Sequence, residues 1–542
     1  MKPLHAAVAS PLVRRVSAVL LLLLLLTPTS HAAEADPIGE IHGALVLCGG
    51  GRVPDAARER FVELAGGPKA KLVVITASGI DPDSPAGEKI LEPWKALKPA
   101  SLVLFHGRDK KHADDAESVK PLPEATGVWF EGDDGDKVTS SYLGGMAETE
   151  LKKMLEGGGV IGGSTMGCRL ASKMVFDENG RYPRAVPGLN LLPGCVIEPQ
   201  FLKRNRADRL IALLSEHPGL VGLGIDEGAA VIIKGGSIRV VGESYVTVCQ
   251  AASKRRPASV QTLKAGEAAD LIELRRAALA RTHAFPPEKP APPVVEKGTL
   301  IIGGGGAMPP EVTKKFIELA GGPDARIVVV STALDDPVPE DPGEAKTLRA
   351  AGAKNVKILH TRSRAEANKP EFAAPLNEAG GVWFSGGRQW RFVDAYEGTL
   401  TEKMFHDVLK RGGVIGGSSA GASIQSEYMP RGHPLGNLVM MAEGYERGFG
   451  FLPGVAVDQH FFARKRQADM TELVRTYPQL LGIGIDEGTV IVVKGSVFQV
   501  VGKSKVAVFD RSKPVKDGEK DYEEIEAGMK YDMKARKQVE KE

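Results

Sequence analysis

The sequence predicts two tandem three-layer α/β domains, each built on a mostly parallel sheet. Three observations carry this: an internal repeat, short apolar runs that do not alternate, and helical patterns between those runs. Phe61-Val-Glu-Leu-Ala-Gly-Gly-Pro68 matches Phe316-Ile-Glu-Leu-Ala-Gly-Gly-Pro323, and Gly159-Val-Ile-Gly-Gly-Ser164 matches Gly413-Val-Ile-Gly-Gly-Ser418. Gly127-Val-Trp-Phe130 returns as Gly381-Val-Trp-Phe384, and Gly222-Leu-Gly-Ile-Asp-Glu-Gly228 as Gly482-Ile-Gly-Ile-Asp-Glu-Gly488. The order is preserved at an offset of about 255 residues, as two homologous domains require.

Each repeat opens on an apolar run that ends in glycines, Ala44–Cys48 in the first and Leu300–Ile302 in the second. In the second repeat a helical pattern follows from Pro309 to Leu319, and then Arg326-Ile-Val-Val-Val330. Apolar runs without alternation are strands covered on both faces, the mark of a parallel sheet. In such folds sites gather at the carboxyl ends of the strands, where these glycines lie. Between the repeats, Phe285-Pro-Pro-Glu-Lys-Pro-Ala-Pro-Pro293 is rich in proline, which fixes φ and removes donors. The expected organisation is a first domain over 36–285, an extended linker over 286–297 and a second domain over 298–542.

At 542 residues the chain exceeds one ordinary core. Its 70 Lys and Arg nearly cancel 68 Asp and Glu, so no global field argues for a nucleic-acid partner. Residues 1–35 read as a secretory signal peptide. Arg14-Arg15 precede an apolar run to Leu26, and Ser30-His31-Ala32 offers small residues for cleavage. That run is short for a bilayer span. The expectation is a secreted or periplasmic protein without stable membrane insertion after cleavage. Cys48, Cys168, Cys195 and Cys249 all fall in the first repeat, with no Cys-x-x-Cys spacing. Export leaves disulfides open as an alternative to small buried thiols, with three possible full pairings, and the sequence implies neither metal nor cofactor.

The chemistry concentrates in the second repeat. Val414-Ile-Gly-Gly-Ser-Ser-Ala-Gly-Ala-Ser423 contains Gly417-x-Ser419-x-Gly421 directly after a strand. This is the pattern of a nucleophile elbow, whose glycines relieve crowding in a tight strand-to-helix turn. The helix behind it is expected to offer backbone donors to an oxyanion. A weak nucleophile needs a base. His460 ends the apolar run Val455-Ala-Val-Asp-Gln-His460, and Asp486-Glu487 ends Leu481-Gly-Ile-Gly-Ile485. Either carboxylate is placed to orient an imidazole, and either also suits ordinary turn chemistry. Gly303–Gly306 completes neither a dinucleotide fingerprint nor a phosphate-binding loop.

The order Ser, His, acid differs from that of α/β-hydrolases. Four blocks in order, Phe384-Ser-Gly-Gly-Arg-Gln389, Gly417-Ser-Ser-Ala-Gly-Ala422, Asp458-Gln-His-Phe-x-x-Arg-x-Arg466 and Gly484-Ile-Asp-Glu487, resemble the cyanophycinase group of the dipeptidase E-like serine peptidases, family S51. The resemblance spans nearly all of residues 298–510. It implies a fold similar to class I glutamine amidotransferases and hydrolysis beside aspartyl residues, with β-aspartyl-arginine released from an arginine-decorated polyaspartate. It further implies Ser419 as nucleophile, His460 as base, Glu487 as orienting acid, and the amides of Gly387 and Ala420 as oxyanion hole. Gln389, Gln459, Arg464 and Arg466 match substrate-holding positions; paired guanidinium groups suit carboxylates. Arg388 stands where the family has Asp or Asn, and Asp469 where it has a third arginine. An aspartyl dipeptidase and a non-catalytic binder of anionic polymer are the alternatives.

Aligning the repeats sets Thr165 opposite Ser419, Gln200 opposite His460, Asp133 opposite Gly387 and Gly135 opposite Gln389, while Glu227 stands opposite Glu487. Glutamine is no general base near neutral pH. The first domain is therefore expected to be catalytically silent, though Arg204, Arg206 and Arg209 persist there. The tandem is expected to form an intramolecular pseudo-dimer.

Overall fold

The apolar runs of the second repeat become two hydrogen-bonded sheets, one large and one small. A computed structural model describes residues 36, 38–76, 80, 83–106, 110–131, 142–177, 184–515 and 518–539. The expected signal peptide, Asp133 and Gly135 lie outside the described residues.

The large sheet of the second half runs in the order Asn355–Leu359, Arg326–Val330, Gly381–Phe384, Val414–Ser418, Val295–Gly303, Thr489–Gly495, Val497–Gly502, Lys530–Asp532 and Lys537–Val539. Its first five strands are parallel. Thr489–Gly495 then pairs antiparallel to Val295–Gly303, and antiparallel hairpins complete that edge. The small sheet runs Ser426–Tyr428, Leu452–Gln459, Leu481–Ile485, Val506–Asp510 and Glu523–Ile525, its first three strands parallel. Sequence patterning marks these strands as buried on both faces but does not say which backbone each one pairs with.

Packing follows the two-residue period of a strand. Leu300 and Ile302 face the small sheet and join Val455, Val457 and Ile483 in one core. Ile301 points the other way, onto Phe316 and Trp383 and so against helix Pro310–Leu319. The far face of the small sheet is covered by helix Gln467–Thr476, through Met470, Leu473 and Val474. Strand ends from both sheets therefore meet at one edge of their shared core.

The first half repeats the plan. Five parallel strands, from Ile41–Cys48 to Ser101–His106, lie in a mixed sheet of eight, and a four-stranded sheet contains Cys195–Pro199 and Val221–Ile225. All four cysteines are buried free thiols. The described residues from 38 onward make one compact unit.

The segment expected to be an extended linker is packed. Strand Val295–Gly303 begins inside it, with Val295 paired to Gly495. Just before it, Phe285 stacks on Tyr428 at 5.9 Å between ring centroids, and Gln479 donates to the Pro287 carbonyl at 3.1 Å. Proline removes donors but leaves carbonyls and ring faces free to pack, which composition alone does not register. Among the described residues no helix is long and apolar enough to cross a membrane.

At the end of strand Gly381–Phe384, fully buried Phe384 meets Phe392, Phe405, Phe449 and Phe451 with ring centroids 5.0–6.1 Å apart. Phe384→Ala removes the ring they share and is expected to lower unfolding free energy by about 3–5 kcal/mol, read by denaturant titration against the parent.

Candidate active site

Ser419 follows strand Val414–Ser418 at φ 57° and ψ −114°, a conformation that bulky residues avoid. This strained turn is the expected elbow. Gly421 allows it, since a β-carbon there would stand 2.1 Å from the Phe384 carbonyl oxygen. The helix behind it spans only Ala420–Ser423, so individual N–H groups, not a helix dipole, are what it offers.

His460 and Glu487 come from the other sheet, after strands Leu452–Gln459 and Leu481–Ile485. Ser419 Oγ lies 3.0 Å from His460 Nε2, and His460 Nδ1 lies 2.6 Å from Glu487 Oε1. A hydroxyl, an imidazole and a carboxylate thus form one hydrogen-bonded line. The neighbouring Asp486 has different partners. Its Oδ1 accepts from the N–H groups of Phe462 and Ala463 at 3.1 and 2.9 Å, and its Oδ2 from Ser504 Oγ at 2.9 Å. Asp486 holds the turn that follows the histidine, and Glu487 orients the ring.

What fixes this line is the glycine run at the end of strand Val295–Gly303. Gly303 O accepts from Ser419 N at 3.0 Å, Gly304 O from His460 N at 2.7 Å, and Gly305 O from Gly488 N at 2.8 Å. Successive carbonyls therefore pin the backbone at or beside each member. Gly305 has φ +103°, and a β-carbon on it would lie 2.3 Å from the imidazole. The glycines that completed no phosphate-binding pattern are a backbone template for the triad.

Gly386 abuts the serine: a β-carbon there would stand 3.6 Å from Ser419 Cβ. Its own N–H is taken by Glu344 Oε1 at 3.3 Å. Among the described residues, the N–H groups of Gly387 and Ala420 donate to no protein acceptor. Ala420 follows Ser419 directly and Gly387 follows the glycine that abuts it, so both unengaged donors lie on the backbone next to the serine, as an oxyanion hole requires.

The residues matched to substrate-holding positions divide. Arg464 is exposed. The other three turn inward. Gln389 is 4% exposed and donates to the carbonyls of Pro430 and Arg431 at 3.0 and 2.8 Å. Arg466 donates to Asp458 at 2.8 Å and to Gln459 Oε1 at 3.2 Å, all three being buried. The physical reason is Asp458, a fully buried carboxylate that requires a paired countercharge. It receives a second one from Arg431, whose Nε lies 3.1 Å from Asp458 Oδ2 and whose far end pairs with Asp469. Sequence reasoning missed Arg431. It sits in a loop remote in sequence, and no spacing links it to Asp458.

In the first half the same backbone template carries different side chains. Cys48, Gly49 and Gly50 carbonyls accept from Thr165, Gln200 and Gly228 N–H groups at 3.0, 2.9 and 3.1 Å. Thr165 keeps φ 53° and Gln200 keeps φ 51°. Gln200 Nε2 donates to Glu227 Oε1 at 2.9 Å, so an amide occupies the place of the imidazole. Glu198, opposite Asp458, pairs with Arg206 at 2.6 Å and with Arg209. In the second half Asp469 replaces Arg209, and Arg431 restores the lost positive charge.

A family model described as peptidase family S51 matches residues 109–241 and 299–501. The chain is 32% identical over 207 residues to a cyanophycinase of Geminocystis herdmanii, covering 37% of this chain and 75% of that one. It is 31% identical over 249 residues to a cyanophycinase of Nostoc sp., covering 44% of this chain and 81% of that one. Among solved structures, a peptidase from an acI-B1 Actinobacterium aligns over 43% of this chain and 98% of its own at 18% identity, with a TM-score of 0.35.

Burial pushes the His460 pKa below the ordinary imidazole value; the Glu487 hydrogen bond opposes this, and Arg464 adds to it. The neutral ring is the form able to take a proton, so activity is lost as pH falls through this depressed pKa. The acid limb of kcat/KM is expected to have its midpoint below about 6.5, with a plateau through neutrality, in a pH–rate profile.

Proposed function

Because the chain belongs to peptidase family S51, we propose that its second half hydrolyses an aspartyl peptide bond through Ser419, His460 and Glu487. The observation that carries this reading is the continuous line from Ser419 Oγ to His460 Nε2 at 3.0 Å and from His460 Nδ1 to Glu487 at 2.6 Å. In this mechanism Oγ attacks the scissile carbonyl carbon while Nε2 takes its proton. The Glu487 carboxylate holds the ring and stabilises its cation. The carbonyl oxygen becomes an oxyanion that the Gly387 and Ala420 N–H groups receive. Its collapse breaks the C–N bond, and the imidazolium passes its proton to the departing amine. Water, deprotonated by the same imidazole, then releases the acyl group and restores Ser419.

The substrate reading is a cyanophycin-like polymer of aspartate bearing arginine, cut to β-aspartyl-arginine, as the cyanophycinase relatives suggest. Exposed Arg464, and Arg388 beside the oxyanion turn, are the cations placed to meet substrate carboxylates. A second reading, an aspartyl dipeptidase, draws support from Arg466. With that guanidinium committed to buried Asp458, fewer cations remain to grip a long polyanion. The first half is proposed to be silent, since Thr165 faces Gln200 where a base is required. The full-length chain incubated with purified cyanophycin is expected to yield β-aspartyl-arginine by mass spectrometry. Turnover is abolished in Ser419→Ala and stays within about twofold in Thr165→Ala. Hydrolysis that survives Ser419→Ala refutes the mechanism, and cleavage confined to a panel of α-aspartyl dipeptides favours the second reading.

The leader pattern of residues 1–35 supports a secreted or periplasmic location for the mature protein. Protein recovered from periplasm or medium is then expected to begin near Ala32, as read by intact-mass measurement; an intact leader on active protein contradicts export by this route.

A further inference from the structure

Two elements of the second half reach the oxyanion turn, and both rest on the first half. Helix Trp390–Tyr396 starts immediately after Gln389, so its placement sets the backbone that leads back to Gly387. Arg276, on first-half helix Leu271–Ala280, is 3% exposed and donates to Asp394 at 2.6 Å and to the Val393 carbonyl at 2.9 Å. It also pairs with Glu397, and its guanidinium lies 5.1 Å from the Tyr445 ring centre. One buried first-half cation therefore ties down the side chains and the backbone of this helix.

The second element is the loop over residues 429–447. It too sits on the first half. Arg281 grips Glu443 with Nε and a terminal nitrogen at 2.8 and 3.1 Å, and Arg256 donates to Glu446 at 2.6 Å. Gly444, at φ +83°, comes so near that a β-carbon would lie 2.7 Å from backbone and side-chain carbons of Arg276. This loop supplies the Pro430 and Arg431 carbonyls that hold the Gln389 side chain, and the Arg431 guanidinium that neutralises Asp458 beside His460. Gln389 is thus fixed at its backbone by the helix and at its amide by the loop. Neither anchor is completed by second-half residues alone.

We propose that the first half is a built-in positioning subunit for the oxyanion turn, with Arg276 as the positioning residue that joins helix Trp390–Tyr396 to it. The inference rests on the reading of Gly387 as an oxyanion donor. A donor must stand within a few tenths of an ångström of where charge develops, and a displacement of about 1 Å costs on the order of a hundredfold. Losing Arg276 leaves Asp394 and Glu397 to repel each other at the interface and frees the helix to shift. Exposed Arg464, which follows a strand of the small sheet, is not on the turn that moves.

The test uses the full-length chain and a fluorophosphonate, which needs no knowledge of the natural substrate. Ser419 Oγ bonds to phosphorus, fluoride leaves, His460 takes the proton, and the phosphoryl oxygen occupies the oxyanion position. In Arg276→Met the limiting labelling rate is expected to fall at least about tenfold, with the half-saturating concentration within about twofold and part of the rate regained in Arg276→Lys. A limiting rate within about twofold of the parent, or a loss confined to half-saturation, overturns the proposal. If Arg276→Met does not fold, Gly444→Ala, which pushes the loop off the helix without removing a charge, is judged by the same two outcomes. Ser419→Ala separates the failures. A parent that is not labelled at Ser419 overturns the triad reading and this proposal together, whereas Ser419-dependent labelling unchanged by Arg276→Met overturns this proposal alone.

Discussion

The hydrogen-bonded line from Ser419 through His460 to Glu487 is held because three successive carbonyls, on Gly303, Gly304 and Gly305, accept from Ser419, His460 and Gly488. The serine belongs to one sheet, and the histidine and glutamate to another. Their shared core is apolar contact among residues such as Ile302, Val457 and Ile483, which is strong but non-directional. Such contact brings two sheets together without specifying a distance between a hydroxyl and an imidazole. Backbone hydrogen bonds are directional and short, and a run of them along one strand end gives both sheets a common ruler. The imidazole passes within van der Waals reach of that strand end, so Gly305 has no room for a side chain.

The first half separates this architecture from its chemistry. It retains the carbonyl template, the strained turns at Thr165 and Gln200, and the acid at Glu227. The displayed side chains have changed: Thr165 and Gln200 stand for Ser419 and His460, and Asp133 and Gly135 for Gly387 and Gln389. Strained backbone persists where its surroundings over-determine it, and the template over-determines these turns whether or not the residues they display can react. The outer surface of the same half meanwhile carries buried arginines that complete the second half. Compensation is also visible at Asp458. Its counterpart Glu198 takes Arg206 and Arg209 from one helical segment, while Asp458, having Asp469 in place of the second arginine, draws Arg431 from a loop.

Much of the site was legible because it is written in local patterns. A strand, a small-residue turn and a hydroxyl fall within ten residues at Ser419, and the repeat shows which residues vary against a constant frame. The local pattern showed Glu487 only as one of two carboxylates at a strand end, and the family resemblance alone singled it out from Asp486. The two are adjacent, and which one turns toward His460 depends on the Phe462 and Ala463 amides that claim Asp486. Gln389, Gln459 and Arg466 were expected to be substrate contacts because they match substrate-holding positions of the family that the sequence resembles. In the folded chain they satisfy buried partners, and a sequence does not reveal which polar side chains lose their water.

The amino-acid sequence by itself determined the doubled α/β plan, the parallel strands, the strand-to-helix turn at Ser419, and the asymmetry between a half with His460 and a half with Gln200 in its place. These depend on periodicity, on glycine and on residue type, all of which are local properties. Only the tertiary structure decided that the strands divide between two sheets, that Glu487 faces the imidazole, that Arg431 neutralises Asp458, and that Arg276 bridges the halves. Each of those is a pairing between groups distant in the chain. Its free energy comes from desolvation and geometry that exist only after the chain has closed around them.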